Sequence, residues 1–394
     1  MKTRWPTKNL GDLCEVIGGG TPSKDNPAFY SGEIPWATVR DMRQEVLVET
    51  ECRITKEAVK SSATNIIPSG NVVIATRVGL GKVCLLGQDT AINQDLRGII
   101  PRDTNSLSVR FLFWWLKSIA DVIVAEGTGA TVQGVKLPFV KSLQIPFPPL
   151  PEQHRIVAIL DEAFDGIAIA KANAEKNLQN ARALFESHLQ SVFAERGEGW
   201  VDRTLDKVCI VERGSSPRPI KNFFTTAANG VNWIKIGDTE EGGKYVFATG
   251  QKITPEGAKQ SRYVKEGDFI LTNSMSLGRP YIMKTDGYIH DGWFVLRLGE
   301  GIDSEFFYYL LSSSYVQGQF HTLSAGAVVK NISGDLVKKA VLPIPPLTQQ
   351  HDLAEQFVVF SEETQRLESL YQQKLTALDD LKKSLLNQAF SGQL

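Results

Sequence analysis

The sequence predicts an α+β protein built as two tandem, pseudo-two-fold repeats, each a mixed α/β head followed by a long helix, with the two helices forming an antiparallel coiled coil. Three observations carry that reading. A ten-residue motif recurs late in the chain, each copy opens with short buried strands set between glycine turns, and each copy closes on a long segment without a strong mid-helix breaker.

The repeat comes first because it divides everything else. IPFPPLPEQH at 145–154 returns as LPIPPLTQQH at 342–351. The same shift carries Trp36 onto Trp233, Asp41 onto Asp238, Gly70 onto Gly267, Leu80 onto Leu277, Gly81 onto Gly278, Ile92 onto Ile289 and Gly129 onto Gly326. It also carries Leu189 onto Leu386 and Phe193 onto Phe390. At the start of each copy the register slips by two residues, where L-x-x-L-C-x-V-x-x-G-x-T-P from Leu10 matches L-x-x-V-C-x-V-x-x-G-x-S-P from Leu205. Duplication of one unit explains a shift held along the whole chain. The resulting divisions are a head at 1–150, a helical region at 151–197, a second head at 198–347 and a second helical region at 348–394.

Within the heads, Val72-Val-Ile-Ala75 and Phe269-Ile-Leu-Thr272 are continuous apolar runs after glycine turns, the pattern of strands buried on both faces. Phe111-Leu-Phe-Trp-Trp-Leu116 and Phe306-Phe-Tyr-Tyr-Leu-Leu311 are expected as packed helices whose aromatics belong to the core. Beyond Pro148-Pro149 and Pro345-Pro346, apolar and small residues step by threes and fours through Ile156, Leu160, Ala163, Ile167, Ala170, Ala174, Ala181 and Leu184. The equivalent seam is Leu353, Phe357, Phe360, Thr364, Leu367, Tyr371, Leu378 and Leu381, so small residues in one helix meet bulky ones in the other. Asn177 and Lys374 interrupt it at equivalent points, either as register-setting polar positions or as solvated ones. Helices of this length act as spacers, and lengthening the first near Glu195-Arg196 is expected to move the heads apart.

Composition narrows the function. A chain of 394 residues that is 42% hydrophobic fills real cores, and its net charge of −1 hides mildly basic heads alternating with acidic helical regions. Cys14, Cys52, Cys84 and Cys209 lack CxxC spacing and are expected as buried thiols. The sequence has neither a membrane-length apolar run nor a secretory leader pattern, which points to the cytoplasm.

Enzyme signatures are missing from the sequence: no GxxxxGK[ST], no HExxH, no GxSxG, and no Asn/Asp-Pro-Pro-aromatic element of an amino-methyltransferase. His154 and His351 open the helices without metal-ligand neighbours in sequence and are expected to cap or pack. What remains is a set of polar loops on short strands, present twice. Thr76-Arg-Val-Gly-Leu-Gly-Lys82 and Asn273-Ser-Met-Ser-Leu-Gly-Arg279 keep Leu and Gly while their front side chains differ. Arg, Asn, Gln and Ser read base edges, and Lys positions on phosphate. The candidates for DNA contact are therefore Arg40, Arg43, Arg77, Lys82, Gln94 and Lys136 in the first copy. In the second they are Arg218, Lys221, Asn273, Ser274, Arg279, His290, Lys330 and Asn331.

The paired openings, the I/V-x-W-x-x-x-x-D element at Trp36 and Trp233, and P-x-P-P-L-x-x-Q-H before each long helix resemble the specificity subunits of type I restriction-modification systems across essentially the full chain. The resemblance implies two target-recognition domains that read the halves of a bipartite site in double-stranded DNA, and two helical regions that act as a ruler and dock two methyltransferase subunits. A restriction subunit joins the assembly. It also implies a non-catalytic chain without a cofactor of its own, with S-adenosylmethionine, ATP and Mg expected on the partner subunits. The alternatives are the specificity subunit of a modification-only or other phage-defence methyltransferase, or a coiled-coil adaptor whose heads bind proteins.

Overall fold

The computed structural model describes residues 5–128, 134–240, 242–273, 277–324 and 332–394. Two compact units result, one formed by Met1–Ala174 with Gln373–Leu394 and the other by Glu175–Gln372. The division does not follow the repeat. Each unit holds one head, part of the long helix that follows it, and the tail of the other long helix. Aromatic packing accounts for this: Phe390 meets Phe111 at 5.1 Å in the first unit, and Phe193 meets Phe306 at 5.8 Å in the second. The apolar face of each head is covered by its own long helix together with the returning one, and a fully buried Phe contributes roughly 1.5–3 kcal/mol.

In the first unit, β1 (Thr7–Asn9), β2 (Cys14–Gly18), β3 (Ile34–Ala37), β4 (Val46–Leu47), β5 (Cys52–Ile54), β6 (Asn65–Ile67), β7 (Val72–Ala75), β8 (Val83–Leu86), β9 (Thr90–Ile92), β10 (Leu96–Pro101) and β11 (Gln144–Pro146) form three sheets. The five-stranded sheet has the order β2-β10-β7-β8-β4 and the four-stranded one β5-β3-β9-β6, while β1 and β11 pair alone. Only β3–β9 and β4–β8 are parallel among the described pairs of this unit. Strand β7 explains its own sequence. Val72 and Ile74 face the helix layer with Phe111 and Trp115, whereas Val73 and Ala75 face a second core with Ile67, Ile92 and Leu96. With both faces covered, every residue of the strand is buried, and polar alternation is lost.

The second unit repeats the plan with β12 (Val201–Thr204), β13 (Cys209–Arg213), β14 (Phe224–Thr225), β15 (Val231–Ile234), β16 (Tyr245–Val246), β17 (Gln251–Ile253), β18 (Arg262–Val264), β19 (Phe269–Thr272), β20 (Pro280–Met283), β21 (Gly287–Ile289), β22 (Trp293–Leu298) and β23 (Val341–Ile344). Its central sheet is β13-β22-β19-β20-β16, and β14 adds a fifth strand to the other, β14-β17-β15-β21-β18. The aromatic segments are helices, Val109–Ser118 and Ser304–Ser312, with their aromatics in the core as expected.

The long helices run Leu150–Glu195 and Leu347–Ser391. Within each unit the two segments pack antiparallel, as the pairs Lys171–Asp379 at 2.6 Å and Arg182–Glu368 at 2.9 Å record. The seam departs from the expected one at matching places. Leu184 and Leu381 are 55% and 46% exposed, and the next residue turns inward instead. Phe185 packs on Tyr309 and Phe360, while the stem of Lys382 carries its ammonium over Phe164 and Trp114. Asn177 and Lys374 are likewise exposed, beside half-buried Leu178 and Leu375, so they are solvated positions rather than seam members. A straight helix drifts against a strict heptad, and here the drift selects the fourth residue over the third.

The motif before each helix proves to be a clamp. Gln153 is fully buried, accepts from the Ser108 N–H at 2.9 Å, and donates to the carbonyls of Ser106 and Pro148, both at 2.9 Å. Gln350 repeats the arrangement with the Asp303 N–H at 2.8 Å and the carbonyls of Gly301 at 3.1 Å and Pro345 at 2.9 Å. Ser108 and Asp303 cap the aromatic helices, so one amide fixes two helix starts against each other. Cys14, Cys84 and Cys209 are buried, but Cys52 is exposed, against expectation, because edge strand β5 turns it to solvent. His154 is exposed, and His351 lies 3.0 Å from Asp303. Among the described residues no helix is long and apolar enough to cross a membrane.

Candidate nucleic-acid interface

Strand register brings the polar loops together. Gly18 of β2 pairs with Arg97 of β10, Ala75 of β7 with Leu96, and Ala37 of β3 with Ile92 of β9. The loops that leave β2, β3, β7 and β9 therefore emerge at one edge. In the second unit Arg213 pairs with Phe294, Thr272 with Trp293 and Ile234 with Ile289, so the same four loops emerge together again.

The shared motifs hold this edge. A Cβ on Gly19 would stand 2.1 Å from the Asn93 carbonyl oxygen, and one on Gly214 would stand 2.0 Å from that of His290, which is why glycine opens both loops. Trp36 donates its indole N–H to the Gly20 carbonyl at 3.1 Å. Asp41 accepts from the Thr38 and Glu51 N–H groups at 2.7 and 2.8 Å, and Asp238 accepts from Lys235 and Gly250 at 2.7 and 3.0 Å. Trp36 and both aspartates of the recurring element are thus braces for the loops, and the Trp233 ring lies 6.3 Å from that of His290. Variable side chains stand on a frame they do not disturb.

On that frame Arg40 and Gln94 line one cleft of about 700 Å³ with Thr21, Lys24 and Asp95. Arg77 is exposed and lies 3.6 Å from Asp95, and Lys82 is exposed at the far end of the same loop. Lys136 joins them through its neighbour, since the Val135 N–H donates to the Thr76 carbonyl at 2.9 Å. Arg43 is committed to its own loop: it pairs with Glu51 and donates to the Arg40 carbonyl at 3.0 Å. In the second unit Arg218 is exposed, 3.9 Å from Asp291. Lys221 sits on the turn Ile220–Phe223, tied to β17 through the Thr254 N–H and the Phe223 carbonyl at 2.8 Å.

Two second-unit candidates take structural roles. Asn273 is 2% exposed and its amide donates to the Asp291 carbonyl at 2.6 Å, so it shapes the loop from beneath. His290 accepts the Gly292 N–H at Nδ1, 2.8 Å, and burial pushes its pKa below the usual imidazole value. Arg279 is half-buried, with its backbone N–H on the Thr272 hydroxyl at 2.9 Å. Ser274, Lys330 and Asn331 lie outside the described residues.

Several partners were not legible. Thr21 donates to Gln94, Ser216 donates to Asp291 at 2.6 Å, and Arg97 and Arg213 donate to the carbonyls of Gln94 and Asp291 at 3.1 and 3.4 Å. The available signal was the T/S-P pair in each opening motif, since Thr21 and Ser216 are its hydroxyls.

Comparison with known proteins agrees with this doubled geometry. A family model described as the type I restriction modification DNA specificity domain matches residues 2–180 and again 197–377. The chain is 27% identical over 240 residues to the type I restriction enzyme MjaIX specificity subunit of Methanocaldococcus jannaschii, covering 57% of this chain and 56% of that one. It is 36% identical over 165 residues to the EcoR124I/EcoR124II specificity subunit of Escherichia coli, covering 40% of each. The chain thus spans about half the length of these curated relatives. A solved chain from work on complex assembly and conformational transition of the type I R-M system superposes with a TM-score of 0.84 at 18% identity, over 100% of both chains.

Proposed function

Because the chain belongs to the type I restriction modification DNA specificity family, we propose that it is the subunit that selects the DNA target, each head reading one half of a bipartite site. Methyltransferase subunits, two by the family's pattern, and restriction subunits assemble with it and carry the chemistry. S-adenosylmethionine, ATP and Mg belong to those partners. One observation carries this reading: the same four loops meet at one edge in both heads, on braces that are equivalent, with side chains that differ. A duplicated frame with different polar fronts suits two different half-sites, and phosphate contacts by Lys82 and Lys136 supply affinity without sequence preference. Arg77 lies 3.6 Å from Asp95 and Arg218 lies 3.9 Å from Asp291, so each head carries an exposed guanidinium beside an acidic residue of the edge.

The test is a methylation map of DNA from cells that contain the cognate methyltransferase with and without this chain. A bipartite methylated motif is expected only when the chain is present. Identical maps would remove the assignment.

A further inference from the structure

We propose that the equivalent positions Gln94 and Asp291 are the specificity-determining pair of the two heads, the Gln94 amide reading an adenine in one half-site and the Asp291 carboxylate reading a cytosine amino group in the other. The inference rests on the DNA-reading role of these loops.

Both residues occupy the loop that joins the parallel-paired strand to the central sheet, Gln94 between β9 and β10 and Asp291 between β21 and β22. Each is clamped by the hydroxyl of the opening motif. Thr21 donates to Gln94 Oε1, and Ser216 donates to Asp291 Oδ1 at 2.6 Å while accepting the Asp291 N–H at 3.4 Å. Each backbone carbonyl is held by a guanidinium, at 3.1 Å from Arg97 and 3.4 Å from Arg213. Those arginines are not equivalent in the repeat. Arg97 lies on β10 opposite Gly18, whereas Arg213 lies on β13 opposite Phe294. The two heads thus place an arginine on opposite strands of one pair and support the same carbonyl. Asn273 adds a second donor to the Asp291 carbonyl at 2.6 Å. A solvated loop side chain needs no such bracing, while a reading group needs a fixed position.

The free ends have opposite hydrogen-bond character. With Oε1 accepting from Thr21, exposed Gln94 still offers its NH₂ donors and a remaining lone pair, the combination that pairs with adenine N7 and N6. Asp291 is 49% exposed at its side chain, and among the described residues the nearest cation to Oδ2 is Arg218, at 3.9 Å and beyond hydrogen-bond reach. The Ser216 hydrogen bond holds its carboxyl below the usual carboxylate range, so it stays ionised and only accepts. It therefore takes the cytosine N4 amino group and repels the acceptor edge of guanine.

The experiment measures binding by the chain assembled with its methyltransferase, on target duplexes changed one base pair at a time. In a second set, 2-pyrimidinone replaces each cytosine and removes only its amino group. With the native chain, one cytosine of one half-site is expected to lose about five- to hundredfold in binding when its amino group is removed. D291A should abolish that difference and keep discrimination in the other half-site, which reports an intact fold. S216A, which frees the carboxylate without removing it, should shrink the same difference, and Q94E should shift one position of the other half-site from adenine towards cytosine. The inference is overturned if no cytosine is sensitive with the native chain. It is equally overturned if the sensitivity survives D291A. A native complex with no sequence preference at all would instead overturn the DNA-reading role.

Discussion

Replacing Gln153 tests whether the motif before the long helix is a clamp. The amide is fully buried and satisfies one N–H and two carbonyls. Truncation to alanine leaves all three groups without it, the Pro148 carbonyl buried and the Ser106 and Ser108 groups part-buried, at about 1–3 kcal/mol each for a fully buried group. The lower end applies because the space vacated by the amide admits a water, so Q153A should destabilise the first unit by about 3 kcal/mol. For a unit of roughly 200 residues that lowers its melting temperature by about 6–12 °C. Q153E sharpens the test: an ionised carboxylate keeps the Ser108 bond but faces two carbonyl oxygens, so it should be less stable than Q153A at pH 7. Burial among acceptors raises the folded pKa of the new Glu above its unfolded value. Its penalty is then absent below the unfolded pKa and grows as pH rises towards the folded one, so Q153E should recover relative to Q153A near pH 4. Calorimetry of the purified chain resolves both effects. A Q153E at least as stable as Q153A at pH 7, or a Q153A loss below ~1 kcal/mol, would refute the clamp.

Four further outcomes are expected. Thr64 donates its hydroxyl to the Ile92 carbonyl at 2.7 Å, whereas the buried hydroxyl of its counterpart Ser261 has no partner among the described residues, so T64A should destabilise and S261A stabilise, each by about 1 kcal/mol in chemical denaturation. Burial pushes the thiols of Cys14, Cys84 and Cys209 up to about 12, so maleimide should label only Cys52 in the native chain and all four cysteines after unfolding; two or more labels before unfolding would contradict the packing. Insertion near Glu195-Arg196 should disrupt the second unit rather than act as a spacer, because Phe193 is in its core and Arg196 pairs with Asp202 at 2.8 Å. A heptad added at both 174/175 and 372/373 keeps the seam in phase and adds about 10 Å, so a helical ruler would widen the methylated motif by about three base pairs.

Much of the fold was legible because the chain repeats itself. One shift aligned two heads, and the aligned Asp41 and Asp238, with Gly19 and Gly214 of the opening motifs, mark braces for the loops in both copies. Strand β7 was readable because four apolar residues after a turn have few alternatives to a strand covered on both faces. The seam was readable only approximately, since Ala181 to Leu184 and Ala181 to Phe185 both satisfy a three-or-four rule and only the aromatic partners Tyr309 and Phe360 choose between them. The loop candidates were the least legible. Arg43, Asn273 and His290 have the chemistry of base readers, but Arg43 and the His290 Nδ1 are engaged within their own loops, and the Asn273 amide is engaged across to the loop that carries Asp291.

By itself the sequence determined the duplication, the strand and helix types, the family and the glycine, tryptophan and aspartate positions, because these depend on local periodicity or on identity between the copies. Tertiary structure alone decided that each unit closes with the tail of the other repeat's helix, that Gln153 and Gln350 are buried clamps, and that Gln94 and Asp291 are held by Thr21 and Ser216. The reason is physical: those outcomes join residues far apart in the chain, and hydrogen-bond satisfaction is a property of the packed site, which no single stretch of sequence contains.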